Sequence, residues 1–387
     1  MGLWRRGVFT IPANDSAQSE KDTEDESKEG SVAPHQRAVI MQSVALLLII
    51  MGLVDLSLGQ HHSQFQWLSR LRGRRRHASL QADDTDCPLE CDCPSAFVTA
   101  MYCHNRNLQH VPYVPSHMKY VYLQHNQITG IQDGVFDNAT NLVWVVLFGN
   151  QLSSDKIGKN VFSKLKKLNR LLLDHNELTH VPPNLPKSLT DLRLGHNKIS
   201  KILPGSFEGM VDLTTLHLQA NAIDNAQGVS KGLKSLTVLD MRKNKLREIP
   251  DDLPEMLQQL YLEFNDIESV PAGFFTSHPT LQFVRLAHNK LTDKGLPSSV
   301  FNVSTLIELD LSFNKLEKIP VVSRNLQNLY LQANEIKEFS LRSFCGAIDM
   351  TNFSRLRMLR LDANEISARD IPAEAAYCLR RVAFIDV

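Results

Sequence analysis

The chain lacks the short motifs that mark most catalysts. It has no H-E-x-x-H and no glycine-rich phosphate loop, so the usual routes to zinc hydrolysis and nucleotide binding are missing. It has no charge excess, since 42 basic and 42 acidic residues cancel; no global field selects nucleic acid or any other partner class. Cysteine is scarce, at six in 387 residues, with no C-x-x-C pair among them. That removes the paired zinc knuckle and the thioredoxin-like redox motif.

Long apolar runs are also scarce. "MQSVALLLIIMGLVDLSLGQ" holds the main one, Val44–Val54, which has the length of a signal-peptide core and falls short of the roughly 20 residues of a membrane span. Ser57 and Gly59 supply small residues before a cut at Gln60. We therefore expect a signal peptide over 41–59, with Met41 as the functional start and no membrane span in the mature chain. The alternative, a signal-anchor, is disfavoured by Asp55, which ends the run early. Upstream, "NDSAQSEKDTEDESKEGS" is acidic and free of aromatics and cannot bury enough surface to fold. Residues 1–40 thus read as a disordered upstream extension or an artefact of the gene model. Secretion places the six cysteines in an oxidising compartment, which favours disulfides.

What the chain does have is a repeat. Apolar-x-x-apolar-x-apolar-x-x-Asn-x-apolar recurs as "MKYVYLQHNQI", "LTDLRLGHNKI", "LQQLYLEFNDI", "LRMLRLDANEI" and seven other copies. The asparagines are Asn126, Asn150, Asn176, Asn197, Asn221, Asn244, Asn265, Asn289, Asn314, Asn334 and Asn364. This is the signature of a leucine-rich repeat solenoid. In L-x-x-L-x-L the centre forms a short strand whose side chains alternate, so Leu192 and Leu194 face the core and Arg193 faces out. A buried Asn at each bend must pair its amide, which stacked asparagines do by bonding backbone of the turn and the adjacent coil. Asn-to-Asn steps run 24, 26, 21, 24, 23, 21, 24, 25, 20 and 30 residues, two longer and one shorter three times over. The short steps carry "VPPNLPKSL", "IPDDLPEML" and "IPVVSRNL", which favour extended or polyproline segments. The expected fold is an α/β-type solenoid, curved, with short parallel strands on its concave face and mostly irregular, 3-10 or polyproline segments on its convex face.

A solenoid needs caps at both ends. Cys87, Cys91, Cys93 and Cys103 precede the first coil, while Cys345 and Cys378 bracket the last. No His pair completes a zinc ligand set around them. Disulfide caps are expected, although four cysteines allow three pairings. A Cys345–Cys378 bridge would contribute on the order of 3–4 kcal/mol in the chain-entropy model. The boundaries that follow are a basic flexible segment at 60–86, a cysteine cap at 87–116, repeats at 117–344, and a last long repeat with its disulfide cap at 345–387.

The C-x3-C-x-C-x9-C cap, the two-long-one-short period and the long penultimate repeat together resemble the small leucine-rich proteoglycans of class II. So do "TAMYCHNRNLQHVPYVPSHMKYVYLQHNQITGIQDGVFDNAT", "SDKIGKNVFSKLKKL", "LLLDHNELT" and "LRLDANEI" followed by "CLR". The resemblance spans residues 87–387. It implies pairing as Cys87–Cys93, Cys91–Cys103 and Cys345–Cys378. It also implies a secreted matrix protein that binds fibrillar collagen and regulates fibril assembly and spacing, with no catalytic activity and no cofactor. The alternative from another class is a soluble module that captures growth factors or microbial ligands. The resemblance further points to a Glu-x-Lys pair near the C-terminus. Here the chain reads Glu365-Ile366-Ser367, keeping the acid and lacking the base; Arg360 and Asp362 join Glu365 as collagen-binding candidates. A tyrosine-rich, sulfatable segment would also be expected, yet residues 60–86 contain no tyrosine.

Sequons at Asn138, Asn302 and Asn352 are expected to carry N-glycans, which the resemblance extends to keratan sulfate. Arg70, Arg72, Arg74, Arg75 and Arg76 offer a site for heparan-type glycans through guanidinium–sulfate pairing, a dibasic processing site or a solvated linker. Outward strand positions, among them Tyr122, Trp144, Phe148, Arg170, Asp174, His217, Asp240, Arg242, Tyr261, Glu263, Arg285, Glu308, Asp310 and Tyr330, form the candidate recognition face. His125, His175, His196 and His288 precede a repeat Asn and mark turns. The sequence leaves homodimerisation open.

Overall fold

A computed structural model of the chain describes the two-residue strand β1 (Val8–Phe9), residues 86–346 and residues 352–387. The signal segment and Arg70–Arg76 lie outside the described residues. From the cysteine cap onward the strands are β2 (Ala100–Tyr102), β3 (Tyr120–Tyr122), β4 (Trp144–Val146), β5 (Arg170–Leu172), β6 (Asp191–Arg193), β7 (Thr215–His217) and β8 (Val238–Asp240). They continue as β9 (Gln259–Tyr261), β10 (Phe283–Arg285), β11 (Glu308–Asp310), β12 (Asn328–Tyr330), β13 (Met358–Arg360) and β14 (Phe384–Asp386). Strands β2 to β14 lie side by side in chain order, all parallel. Each strand therefore begins a new coil, and the return segment carries the chain back across the core.

The register keeps like positions in columns. Val121 pairs Val145, Leu171 pairs Leu192, and Leu309 pairs Leu329; these middle residues are fully buried. Two positions later a second column, from Leu123 to Leu361, is equally buried. Alternation of the strand thus puts one column in the core and its neighbours on the strand face. The return segments contribute a third layer. In most long coils a phenylalanine fills it, as with Phe136 stacked on Phe162 and Phe275 on Phe301. In the short coils smaller pairs such as Val181 and Leu185 do so, which is why those coils close in fewer residues. Each such phenylalanine contributes about 2–3 kcal/mol of burial.

Helix is nearly absent among the described residues. Short 3-10 turns lie in the returns, and the one α-helix, α1 (Ala375–Cys378), spans four residues after Pro372. The ladder asparagines account for the bends. Asn150 donates from Nδ2 to Leu147 O at 2.9 Å in its own coil and to Leu123 O at 3.0 Å in the coil before. Its Oδ1 accepts from Ile128 N at 3.1 Å, and the same pattern recurs along the array. The residue before each ladder Asn is left-handed, from His125 (φ 55°) and Gly149 (φ 66°) to Ala363 (φ 58°).

Three disulfides close the ends: Cys87–Cys93, Cys91–Cys103 and Cys345–Cys378. The N-terminal cap also pairs the sheet edge, with Asp92 and Tyr102 exchanging both backbone hydrogen bonds at 2.8 Å. That covers the open groups of β2, which would otherwise template another strand. At the far end β1 runs antiparallel to β14.

Candidate ligand-binding face

The strand face divides into two regions of different chemistry. On β2–β4 it is aromatic: Tyr102 stacks on Tyr122 at 4.9 Å, and Tyr120 meets Trp144 edge-on at 5.5 Å. The Arg170 guanidinium covers Trp144 at 4.5 Å, a cation–π contact at the border of the patch. Burial pushes the Tyr102 and Tyr122 hydroxyls above their ordinary pKa, with neighbouring tyrosines adding to the effect at Tyr122.

From β5 onward the face is mixed, with Tyr261, Phe283 and Tyr330 set among charged groups that pair with one another. Arg193 Nε lies 3.2 Å from Asp191, Arg242 Nε 3.2 Å from Asp240, and Arg285 Nη2 2.7 Å from Glu308. Arg193–Asp191 and Arg242–Asp240 are neighbours two positions apart on one face of the same coil, whereas parallel register brings Arg285 to Glu308 of the next coil. Several acids counted as outward are nevertheless buried. Asp240 is 1% exposed, Glu263 8% and Glu308 9%. Alternation does point them away from the core, but bulkier neighbours close over them, so Asp240 and Glu308 act as internal counter-charges. Glu263 is the exception. Its Oε2 accepts no hydrogen bond among the described residues, and burial, aided by Asp240 and opposed by Arg242 and Arg285, lifts its carboxyl to about 7. Burial likewise raises Asp174, which accepts from Gly195 N at 3.1 Å.

The collagen-binding candidates fall on two surfaces. Arg360, on β13, holds Asp362 with Nε and Nη2 at 3.0 and 2.9 Å and approaches Asp386 at 3.7 Å. Glu365 sits beyond the Asn364 bend on the lateral edge. Ser367 offers no base, but Lys337 Nζ on the neighbouring coil lies 3.9 Å from Glu365 Oε1, with both side chains more than half exposed. Sequence reasoning missed this pair, because its partners are 28 positions apart on different coils.

Of the sequons, Asn138 and Asn302 are exposed, while Asn352 is half-buried and its Oδ1 accepts from Arg324 at 2.7 Å. A stacked column at the bends, Phe264 on His288 and His288 on Phe313, each at 4.0 Å, also went unnoticed, since only the histidines stood out as turn residues. Among the described residues no group of three His, Cys, Asp or Glu side chains could hold a metal ion, and no helix is long and apolar enough to cross a membrane.

These coils match the leucine rich repeat family model over residues 116–178 and 166–223 and again over 277–296, and the cap matches the leucine rich repeat N-terminal domain over 86–115. A chain of the octameric complex of Latrophilin 3, Unc5D and FLRT2 (LRR) shares the fold with a TM-score of 0.59 and 25% identity, covering 76% of this chain and 82% of that one. Fibromodulin of Bos taurus is 57% identical over 79% of this chain and 82% of its own length. Lumican of Gallus gallus is 48% identical over 78% and 88%. The chain belongs to the class II small leucine-rich proteoglycans, a family of extracellular-matrix, non-enzymatic structural proteins.

Proposed function

We propose that the protein binds fibrillar collagen and regulates fibril assembly and spacing. The observation that carries this reading is the C-terminal arrangement in which Lys337 restores a base beside Glu365, one coil away from where the sequence lacks it. Exposed on a scaffold pinned by the asparagine column and the Cys345–Cys378 bridge, the pair presents both charge signs in fixed register. It is joined on the adjoining strand face by Arg360 and Asp362. Fibrillar collagen is a stiff rod of polyproline-II-like chains, and a rigid surface with fixed charges loses little conformational entropy on meeting it.

N-glycans at Asn138 and Asn302, both exposed, and at Asn352 fit the spacing role, since bulky hydrated chains on the flanks keep neighbouring fibrils apart. In this reading their type is keratan sulfate. Arg70–Arg76 remain candidates for heparan-type glycans or for processing.

The test is co-sedimentation of the secreted protein with reconstituted collagen fibrils, together with turbidity during fibril formation. Delayed, thinner fibrils and a pelleted protein are expected. A protein that stays in the supernatant and leaves the turbidity curve unchanged overturns the reading.

A further inference from the structure

The return face carries a basic surface that the collagen reading does not use. Lys156, Lys159, Lys164, Lys166 and Lys167 are exposed on the coil between β4 and β5, and Lys187 is exposed on the next. Acids offset only part of this charge. Lys164 pairs with Asp137 at 2.5 Å, and Lys167 Nζ donates to the Asn141 amide oxygen at 2.8 Å. Lys166 and Lys187 meet no carboxylate within ion-pair distance among the described residues.

Those two lysines flank a cleft of about 570 Å³, which Ser163, Asn184, Ser206 and Glu208 also line. The stem of Lys187 crosses the backbone of Gly209 (φ 78°), where even a Cβ would come within 2.9 Å of Cε and Nζ. Lys187 is therefore laid over the following coil, which extends the positive stripe along the solenoid. The lining hydroxyls cannot serve as donors to a ligand, because Ser163 donates to Asn160 O at 2.8 Å and Ser206 to Leu203 O at 2.7 Å. Asn184 gives one amide hydrogen to Lys159 O at 3.1 Å, and the ammonium groups are the charged donors of the cleft, with Glu208 as the one opposing charge.

We infer that this cleft and its lysine stripe bind a sulfated glycosaminoglycan chain borne by another matrix molecule. The chemistry favours that class. Lysine is a rotatable point charge that tolerates the variable anion spacing of a sulfated chain. No aromatic ring that could stack a base lines the cleft, the feature a single-stranded nucleic acid would exploit. In the matrix the abundant flexible polyanions are sulfated glycans, and a shallow cationic stripe on a rigid array suits a linear chain of them.

The test uses the full secreted chain and a heparin-derived sulfated decasaccharide, titrated between 50 and 300 mM NaCl (roughly the range over which screening removes exposed charge interactions). The triple variant Lys166→Gln, Lys167→Gln, Lys187→Gln is expected to bind at least about tenfold more weakly at physiological salt, with a shallower salt dependence, as loss of about three ionic contacts requires. A control, Lys294→Gln with Lys318→Gln, is expected to bind like the parent. A second variant replaces Arg70, Arg72, Arg74, Arg75 and Arg76 with glutamine, and should leave the lysine-dependent part intact. If the triple variant matches the control, or the arginine variant alone removes all binding, the inference fails. It fails also if the parent binds only after enzymatic removal of its N-glycans, because the cleft would then hold the chain's own glycan. Collagen co-sedimentation by the triple variant, expected to be unchanged, separates this result from the collagen reading.

Discussion

Lys337 and Glu365 stand on neighbouring coils with Nζ and Oε1 3.9 Å apart. A pair this exposed contributes little to stability, typically below about 1 kcal/mol, so its alteration can be read through binding without loss of the fold. Reversing either charge, as Lys337→Glu or Glu365→Lys, is expected to weaken collagen co-sedimentation severalfold while leaving the thermal midpoint within a degree or two. The double reversal restores the mutual attraction but inverts its polarity. Recovery of binding in the double variant would show that the pair matters only to the protein's own surface. Continued weakness would show that collagen reads the orientation, which is the outcome the proposed function requires.

The asparagine column has the opposite balance, with large structural effect and little exposure. Asn244 donates from Nδ2 to Leu218 O at 3.0 Å and to Met241 O at 2.9 Å, and it accepts from Ile223 N at 3.0 Å. Asn244→Ala strands those buried groups, and each orphan costs about 1–3 kcal/mol when water cannot reach it. A loss of about 2–4 kcal/mol is expected in urea unfolding. Because each coil touches only its neighbours, hydrogen exchange should accelerate first between residues 218 and 265. An unchanged midpoint would mean that the bend does not depend on the amide.

The leucine and asparagine positions were legible in the sequence because each meets a single geometric demand: an inward strand position or a bend amide with fixed partners. The left-handed column was only partly legible. Histidine, glycine, alanine, lysine and phenylalanine all occupy it, so residue type carries little signal, and the stacking of Phe264, His288 and Phe313 depends on which coils happen to place rings there. The strand face shows the same boundary. Period-two alternation told which way Asp240, Glu263 and Glu308 point, but their depth is set by side chains one coil away, and those are 20 or more positions distant in sequence. Lys337 was missed for that reason too. Local spacing of two residues sets Arg193–Asp191, Arg242–Asp240 and Arg360–Asp362, whereas Arg285–Glu308 and Lys337–Glu365 meet only through register across coils.

Glu263 turns this buried geometry into a pH dependence. In the unfolded chain its carboxyl ionises near 4.5, whereas in the fold burial holds the proton to about 7. Between those values the native state binds more protons than the unfolded state, so this group's contribution to stability falls as pH rises, and the full penalty stands above 7. A shift of that size corresponds to on the order of 3 kcal/mol. Glu263→Gln keeps the shape and removes the titration. The variant is expected to match the parent near pH 4.5 and to exceed it by about 1–3 kcal/mol at pH 8, with the gap opening between them, as followed by urea unfolding at stepped pH. A gap that stays constant across the range would mean that Glu263 is already ionised in the fold, held by Arg242 and Arg285 in spite of its burial.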